Sequence, residues 1–237
     1  MTVAGKMKHF LENCSMDHRY GIQPIDETAR QLHLEGEGLV NRLLGQTEQR
    51  LFPRKATVKR KVEWLSGRLA AKKAVLAMPV KDPFHVQEIE ILTEETGAPY
   101  VYPFPHLSIS ISHSHGYAVA ASANHPVGID LERVEKRPAC LLKYFYTEAE
   151  QSAIAGCKKQ QAGMMQATLF WTRKEAVAKC LRLGGRLNFK RIDTTSKKVM
   201  VGDYPQYCLQ VTSAYIDGYC LSIAFLKQNG LLEEKNK

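Results

Sequence analysis

The sequence predicts an α+β fold of two similar lobes, a pseudo-dimer in which each lobe is a long helix packed on a small antiparallel sheet. Helical periodicity over residues 57–77 and 164–183 marks two long helices, and alternating strands follow each of them. This order of helix, strands, helices and strands is typical of α+β proteins. We expect an N-terminal lobe of residues 1–126 and a C-terminal lobe of residues 127–237, although no internal sequence repeat supports the duplication.

Residues 1–50 are the least informative part of the first lobe, with some helical character interrupted by glycines and no chemistry above chance. The helix over 57–77 is clear, because its apolar residues recur at steps of three, four or seven. Thr57 is placed to cap its start and Met78-Pro79 to end it. The basic residues on its other face are Lys59, Arg60, Lys61, Arg68, Lys72 and Lys73. Most of them are expected to face solvent, and a minority to line a phosphate site.

Alternating patterns predict the strands that follow. Residues 86–92 read as a strand and residues 96–99 as a turn. Residues 107–111 alternate apolar side chains with serines and pair with residues 117–123 as a hairpin. A third strand over 127–131 carries Asp130, with Glu132 just past its end.

The second lobe begins with a capping box, Thr147-Glu148-Ala149-Glu150, and its helix is expected to end near Gly156. The long helix over 164–183 stops at Gly184-Gly185. Residues 207–213 and 219–225 then alternate as two strands joined by a turn that contains Asp217-Gly218.

Composition predicts a cytoplasmic protein. No apolar run of the 237 residues is long enough for a membrane span, and residues 1–10 lack the apolar core of a signal peptide. The six cysteines are scattered and form no CxxC pair. Reduced, mostly buried thiols fit this pattern better than disulfides or a zinc site.

The formal net charge of +9 predicts an anionic partner. Nucleic acid, an acidic protein and a phosphate-rich small molecule all satisfy that expectation, and charge alone does not choose among them. A nucleic-acid-binding module would also have aromatic residues interleaved with the basic ones or a known binding fold. The sequence has neither, so we expect no nucleic-acid partner.

The stretch 170–179 lies in the middle of the second long helix. Glu175 and Lys179 are four residues apart, so both project from one face together with Trp171. Such a pair is usually a surface ion pair of little energetic value. In a cleft, the carboxylate can instead hold a metal while the lysine binds a phosphate.

Asp130 and Glu132 supply two further carboxylates, and their spacing puts them on one face of an extended strand. Together with Glu175 they form an all-oxygen ligand set, which suits Mg²⁺. The alternative is that the two strand carboxylates pair with Arg133 or Lys136. Without Glu175 that alternative would be favoured.

The segment Ser112-His113-Ser114-His115 has three interpretations. His113 and His115 are spaced as a metal-binding pair, but no third ligand has a motif spacing for zinc. A Ser–His nucleophile is a second interpretation, but no nucleophile-elbow pattern is present. The third and simplest interpretation is that Ser112 and His113 contact a phosphate at the end of a strand.

Three stretches, taken in order, resemble the signature motifs of the 4′-phosphopantetheinyl transferases. They are 112–114 (SHS), 127–132 (VGIDLE) and 171–179 (WTRKEAVAK). The length and the two-lobed pattern resemble the large, monomeric Sfp-type branch, and residues 64–68 (WLSGR) resemble its N-terminal motif. The resemblance covers about residues 50–225.

The resemblance implies transfer of the phosphopantetheine arm of coenzyme A to a serine of an acyl, peptidyl or aryl carrier protein. Adenosine 3′,5′-bisphosphate is the other product, and the active site lies in the cleft between the lobes. It implies that Asp130, Glu132 and Glu175 hold Mg²⁺, with Mn²⁺ as a substitute. Glu175, or a water that it holds, is the implied base. Lys179 contacts the phosphates and protonates the leaving group.

The resemblance also implies that Ser112 and His113 bind the coenzyme A phosphates. For the 3′-phosphate we expect Arg60 and Arg68 first and Lys59 after them. Acidic carrier proteins fit the positive net charge.

The chain departs from the family pattern at two positions. Ala98 stands where the family has a lysine that helps to hold coenzyme A phosphate, and His115 stands where the family often has a glycine. The first departure implies a lost or replaced contact, and we assign His115 no role. A carrier-binding regulator that has lost activity is the remaining alternative, and the three carboxylates and Lys179 argue against it.

Overall fold

The computed structural model describes residues 1–14, 17–79 and 84–226. Its helices are α1 (Val3–Glu12), α2 (Ile25–Glu35), α3 (Glu37–Leu43), α4 (Gln46–Leu51), α5 (Val58–Leu76), α6 (Ala139–Phe145), α7 (Glu148–Ala155) and α8 (Gln160–Cys180). Its strands are β1 (Arg19–Pro24), β2 (Glu90–Thr93), β3 (Pro99–Tyr102), β4 (Ser108–Ser114), β5 (Tyr117–Ala123), β6 (Val127–Arg133), β7 (Lys198–Val201), β8 (Tyr204–Ile216) and β9 (Tyr219–Leu226). Within these residues, no helix is both long and apolar enough to cross a bilayer.

The predicted α+β class is confirmed, with helices packed on small antiparallel sheets. One sheet has the order β1-β5-β4 and the other β6-β9-β8-β7, while β2 and β3 form a separate ribbon. Helix α5 packs on the first sheet and α8 on the second. Each sheet therefore carries one long helix, which is the two-lobed arrangement that the sequence pattern predicts.

A ladder of serine hydroxyls joins the two sheets. The hydroxyls of Ser108, Ser110, Ser112 and Ser114 on β4 accept hydrogen bonds from the backbone N–H groups of Val127, Ile129, Leu131 and Arg133 on β6, at 3.2, 3.0, 3.2 and 3.0 Å. Because alternate N–H groups of an edge strand point away from its partner strand, every second residue of β6 needs an outside acceptor. The ladder supplies those acceptors and fixes the register between the lobes.

Replacing Ser110 by alanine is expected to destabilise the fold by about 1–3 kcal/mol, because the buried N–H of Ile129 loses its acceptor. Ser122 is the matched control, since it is equally buried and its hydroxyl has no hydrogen-bond partner among the described residues. Its change to alanine should be nearly neutral. Denaturant unfolding of both variants measures the difference, and equal losses of stability would contradict the role of the ladder.

Each long helix crosses a strand at a glycine. A Cβ built on Gly21 of β1 would lie 1.9 Å from the carbonyl oxygen of Ala70, and one on Gly128 of β6 would lie 1.9 Å from that of Ala176. Both distances are far inside van der Waals contact with backbone, which cannot move alone. Gly128 therefore sets how closely α8 approaches β6, two residues before Asp130.

Replacing Gly128 by alanine should lower the stability by about 1–3 kcal/mol or more, because α8 must shift away from β6. Gly163, in the first turns of α8, is the control. A Cβ there would meet its nearest neighbour at an ordinary 3.7 Å, so alanine should be neutral or stabilise the helix by about 0.5–1 kcal/mol. Thermal unfolding compares the two variants, and a Gly128→Ala protein as stable as the Gly163→Ala protein would be inconsistent with this close approach.

Each lobe also buries a lysine–glutamate pair. On α5, Lys72 lies 2.6 Å from Glu48, and on α8, Lys174 lies 2.8 Å from Glu150. All four side chains are at most 1% exposed. Each glutamate is the third residue of its helix and accepts a hydrogen bond from the capping residue's backbone N–H, that of Gly45 or Thr147. The two lobes thus repeat one structural device.

Two sequence predictions need correction, and one strand was not predicted. The predicted strand over 86–92 is wrong in its first half, because residues 86–88 form a turn and the strand begins at Glu90. The predicted turn over 96–99 extends less far, since Pro99 opens β3. Residues 19–24, which gave no strand signal, form β1 at the edge of the first sheet.

The predicted long helices are confirmed to within a few residues, as α5 and α8. The Thr57 cap, the Thr147 capping box and the turn at Asp217-Gly218 are also present. The division at 126/127 stays a prediction, and the last residues of the predicted second lobe, 227–237, lie outside the described residues.

Candidate active site

Asp130 is the most constrained acidic residue at the junction of the lobes. It lies on β6 and is 3% exposed. Its Oδ1 accepts hydrogen bonds from the Ser112 hydroxyl at 2.8 Å and from Lys179 Nζ at 2.6 Å. Its Oδ2 is buried and has no hydrogen-bond partner among the described residues. A buried carboxylate oxygen without a partner is costly unless a ligand or an ion completes it.

Glu132 and Glu175 lie close enough to Asp130 to feel its charge. Burial raises the pKa of Glu132, and the Asp130 carboxylate raises it further. Burial likewise raises the pKa of Glu175, with contributions from Asp130 and then from Glu132. Arg137 opposes the shift at Glu132, with a guanidinium nitrogen 3.4 Å from its carboxylate. The Asp130 charge therefore disfavours ionisation of both glutamates, and the Glu132 charge disfavours ionisation of Glu175.

This donor set fits a divalent cation. Within the described residues, no group of three or more His, Cys, Asp or Glu side chains is placed to hold a metal ion. Mg²⁺ does not need three protein ligands, because it usually binds one or two carboxylates, several waters and the phosphates of a substrate. The open Oδ2 of Asp130 and the mutual repulsion of the carboxylates are what such an ion would relieve.

The ion pairs at the site differ from those that sequence spacing alone allows. Asp130 pairs with Lys179 and Glu132 with Arg137, so Arg133 and Lys136 are not their partners. Lys179 also bonds to Asp130 and not to Glu175, although the helical spacing allows the latter. The Lys179 side chain is 30% exposed, so it is less deeply buried than Asp130, whose side chain is 4% exposed.

Ser112 and His113 point to different surroundings. The Ser112 hydroxyl donates to Asp130 and accepts from the Leu131 N–H, so it is fully engaged inside the protein. The Ser112 hydroxyl bonds to Asp130 and not to His113, so these two residues do not form a Ser–His nucleophile pair, whereas Ser114 Oγ lies 3.2 Å from His115 Nδ1. His113 is exposed on the wall of a cavity of about 540 Å³.

That cavity lies between α2, α5 and the ends of β4 and β6, and Lys59 and Glu132 also line it. Of the three basic residues that the sequence suggests for a phosphate, the structure brings only Lys59 to this cavity. The Arg68 guanidinium lies over the Trp64 ring, 3.7 Å from its centroid, and burial lowers the pKa of Arg68 to about 10. Arg60 and Arg68 do not line the cavity of about 540 Å³.

Arg137 is a site residue that the sequence did not single out. Its guanidinium lies 5.4 Å from the centroid of the Trp171 ring as well as beside Glu132. Trp171 in turn contacts the rings of Phe145, Tyr146 and Phe189, which confirms it as a packing residue. No motif marks Arg137, because the segment after β6 has no periodic pattern. The pairing follows only from the fold.

Ala98 lies on the wall of a second, smaller cavity on the other side of the site. Lys179 of α8 and Arg182, just after the end of α8, also line this cavity. Two positive charges therefore lie at the cavity wall opposite Ala98, where the family has a lysine. His115, the other departure, lies 3.2 Å from Glu135 at the surface and has a left-handed backbone with φ of 36°. Among the described ion pairs, His115 has none with Asp130, Glu132 or Glu175.

Two family models match the chain, one in each half. Residues 126–224 match the 4′-phosphopantetheinyl transferase superfamily, and residues 47–123 match the 4′-phosphopantetheinyl transferase N-terminal domain. A holo-[acyl-carrier-protein] synthase of Enterococcus faecalis is 37% identical over 84 residues, covering 34% of this chain and 71% of the relative. The chain belongs to the 4′-phosphopantetheinyl transferase superfamily.

Other similar proteins carry the same description. A holo-[acyl-carrier-protein] synthase of a Geobacillus species is 34% identical to this transferase over 85 residues, covering 34% of this chain and 71% of the relative. The structure of the Bacillus anthracis synthase in complex with coenzyme A (3′,5′-ADP) aligns with a TM-score of 0.38 and 23% identity, over 44% of this chain and 91% of that one. The presence of an N-terminal domain match beside the superfamily match fits the two-lobed branch of the family.

Proposed function

We propose that this transferase moves the 4′-phosphopantetheine arm of coenzyme A to a serine hydroxyl of an apo carrier protein. The serine oxygen forms a bond to phosphorus as the pyrophosphate bond breaks, and adenosine 3′,5′-bisphosphate leaves. The observation that carries the proposal is the convergence of Asp130, Glu132, Glu175 and Lys179 at the junction of the lobes, in a chain that matches the family in both halves.

Mg²⁺ is the proposed metal, with Mn²⁺ as a substitute, and Asp130, Glu132 and Glu175 would hold it. When bound, it supplies positive charge that neutralises the reacting phosphates. The open oxygen of Asp130 supports this assignment. Because phosphoryl-type transfer needs alignment and charge neutralisation more than covalent help, rigid placement on β6 and α8 suits the task.

Two side chains are proposed to handle protons. Glu175, directly or through a water, accepts the proton of the acceptor serine, and its raised pKa brings its basicity closer to neutral pH. Lys179 leaves Asp130 to contact the phosphates and donates a proton to the leaving phosphate oxygen. Its partly exposed side chain supports this role.

Coenzyme A is proposed to bind along the cleft, where His113 and Lys59 face the larger cavity. Ser112, Arg60 and Arg68 remain proposed phosphate ligands, as the family motifs imply. In the structure, Ser112 holds Asp130 and Arg68 packs on Trp64. A phosphate role for either therefore requires its side chain to change partners.

The proposed partner is an acidic apo carrier protein or carrier domain, whose charge complements the net charge of +9. Because one chain supplies both walls of the cleft, we propose that the protein acts as a monomer, with the lobes divided at 126/127. We place its action in the cytoplasm, without a nucleic-acid or membrane partner.

Release of adenosine 3′,5′-bisphosphate tests the proposed function. The full chain is incubated with coenzyme A, Mg²⁺ and apo carrier protein, and the nucleotide is measured by chromatography. We expect release that needs the carrier, stops with a chelator and is absent with a carrier whose acceptor serine is alanine. Release that proceeds equally without the carrier would indicate hydrolysis of coenzyme A and would contradict the proposal.

A further inference from the structure

A cavity of about 260 Å³ lies between the lobes beside Lys179. Residues 96–99 of the first lobe form one wall, and the C-terminal end of α8 forms the other. Lys179 lies in the last turn of α8 and Arg182 follows the end of the helix, and both line this wall. Small-molecule sites usually have volumes of about 300–1,000 Å³. The cavity is therefore of a size for one part of a substrate, such as a phosphate group.

The opposite wall of the cavity carries no positive charge. Ala98 contributes a methyl group, and Gly97 adds no side chain. A Cβ built on Gly97 or on Gly184 would meet nothing within 4 Å, so both glycines leave open space beside them. An anion that enters the cavity would therefore be met by the positive charges of Lys179 and Arg182.

Arg182 is held at this cavity by a contact that a ligand can displace. Its Nη2 donates to Glu94 Oε1 at 2.6 Å, and the two side chains are 33% and 43% exposed. Exposed ion pairs of this kind contribute little to stability, because water screens both charges. Lys179 is paired with Asp130, whose side chain is only 4% exposed. Each cation thus has a carboxylate partner that a phosphate can replace.

The backbone of Arg182 supports a role for its side chain. Its φ is 55°, in the left-handed region that closes many helices and that glycine adopts without strain. Arginine is disfavoured there, and residues held in such a conformation cluster at active sites and ligand-binding sites. The partly exposed pair with Glu94 does little to offset the strain.

We propose that Arg182, together with Lys179, binds a phosphate group of coenzyme A in this cavity and releases Glu94 when the substrate enters. The inference rests on the proposed function and deepens it by naming a further substrate-binding residue. Arg182 supplies the positive charge that Ala98 does not.

The test is the dissociation constant of coenzyme A, measured by isothermal titration of the full chain with Mg²⁺. Arg182→Gly removes the side chain and relieves the left-handed strain, so we expect no marked drop in thermal stability. The dissociation constant should rise about tenfold, the usual effect of losing a charged hydrogen bond. Arg182→Lys should fall between the two, because it keeps the charge but loses the planar fork.

Glu94→Gln is the matched control, because it breaks the same ion pair and leaves Arg182 free. We expect coenzyme A binding that is unchanged or tighter. If Glu94→Gln weakens binding as much as Arg182→Gly does, the pair acts only as a latch between the lobes and the inference is wrong. An unchanged dissociation constant in Arg182→Gly would overturn it as well.

The proposed function and this inference fail in different ways. A wild-type protein that binds coenzyme A but modifies no carrier would contradict the proposed function. The comparison of Arg182→Gly with Glu94→Gln would still decide the role of Arg182. A wild-type protein that does not bind coenzyme A would overturn both.

Discussion

Replacing Asp130 by alanine or asparagine is expected to lower the rate of phosphopantetheine transfer by about a thousandfold or more, because the site loses its most buried carboxylate. Glu175→Ala should have a comparable effect. The fold should persist, since Asp130 repels its acidic neighbours and its open Oδ2 contributes no hydrogen bond within the described structure. Steady-state kinetics with coenzyme A and a carrier protein, together with circular dichroism, measures both expectations.

Glu135→Ala is the control for these variants. Glu135 follows β6 at the surface, where it contacts only the exposed His115 among the ion pairs described, and its loss should change the rate less than about twofold. Mg²⁺ with coenzyme A should also raise the unfolding temperature of the wild type but not that of Asp130→Ala, because only a folded protein that binds is stabilised. An Asp130→Ala protein with near wild-type turnover would exclude the carboxylate site.

Removing one member of a buried lysine–glutamate pair should give the largest loss of stability in the molecule. Glu150→Ala leaves Lys174 charged and 0% exposed, while the backbone N–H of Thr194 also loses an acceptor. The expected cost is about 3–5 kcal/mol. For a chain of this size each kcal/mol lowers the unfolding temperature by about 2–4 °C, so the total decrease is about 6–20 °C.

Thermal unfolding of the single and paired variants measures this effect. The pair Glu150→Leu with Lys174→Met should cost less than the sum of the two single changes, because neither charge is left buried alone. Glu148→Ala is the control, since Glu148 is exposed on the same helix and should cost under about 1 kcal/mol. A cost for Glu150→Ala no greater than for Glu148→Ala would show that the buried pair has no net stabilising role.

The long helices and the motif-bearing strands were predictable because their signals are local. Apolar spacing on α5 and alternation on β4 depend on neighbouring residues. Strand β1 was not predictable in the same way. Its residues 19–24 have no alternating pattern, and they form a strand only because β5 offers an edge to pair with. Pairing with β5, and not the intrinsic strand propensity of these residues, determines that they form a strand.

The site was predictable at the level of residue type but not of partner. The motifs brought together Asp130, Glu132, Glu175 and Lys179, and the structure places them at one junction. The hydrogen bond from Ser112 to Asp130 depends on the register between β4 and β6, which the serine ladder sets. Local sequence patterns do not show how two strands are placed relative to each other.

The duplicated buried pairs show a similar limit. Glutamate precedes lysine by 24 residues in both lobes, yet the surrounding sequences share too little to reveal the repeat. The sequence pattern places Lys72 on the basic face of its helix, most of which is expected to face solvent. The structure instead buries Lys72 against Glu48 and two backbone carbonyls. Periodicity cannot show such burial, because the partners come from distant segments.

The intact mass of the carrier protein tests the central claim most directly. Apo carriers of the fatty-acid, polyketide and peptide types are each incubated with the full chain, coenzyme A and Mg²⁺ and then measured by mass spectrometry. We expect at least one carrier to gain the mass of one phosphopantetheinyl group, on its acceptor serine, with wild type but not with Asp130→Ala. No mass gain on any carrier would contradict the account.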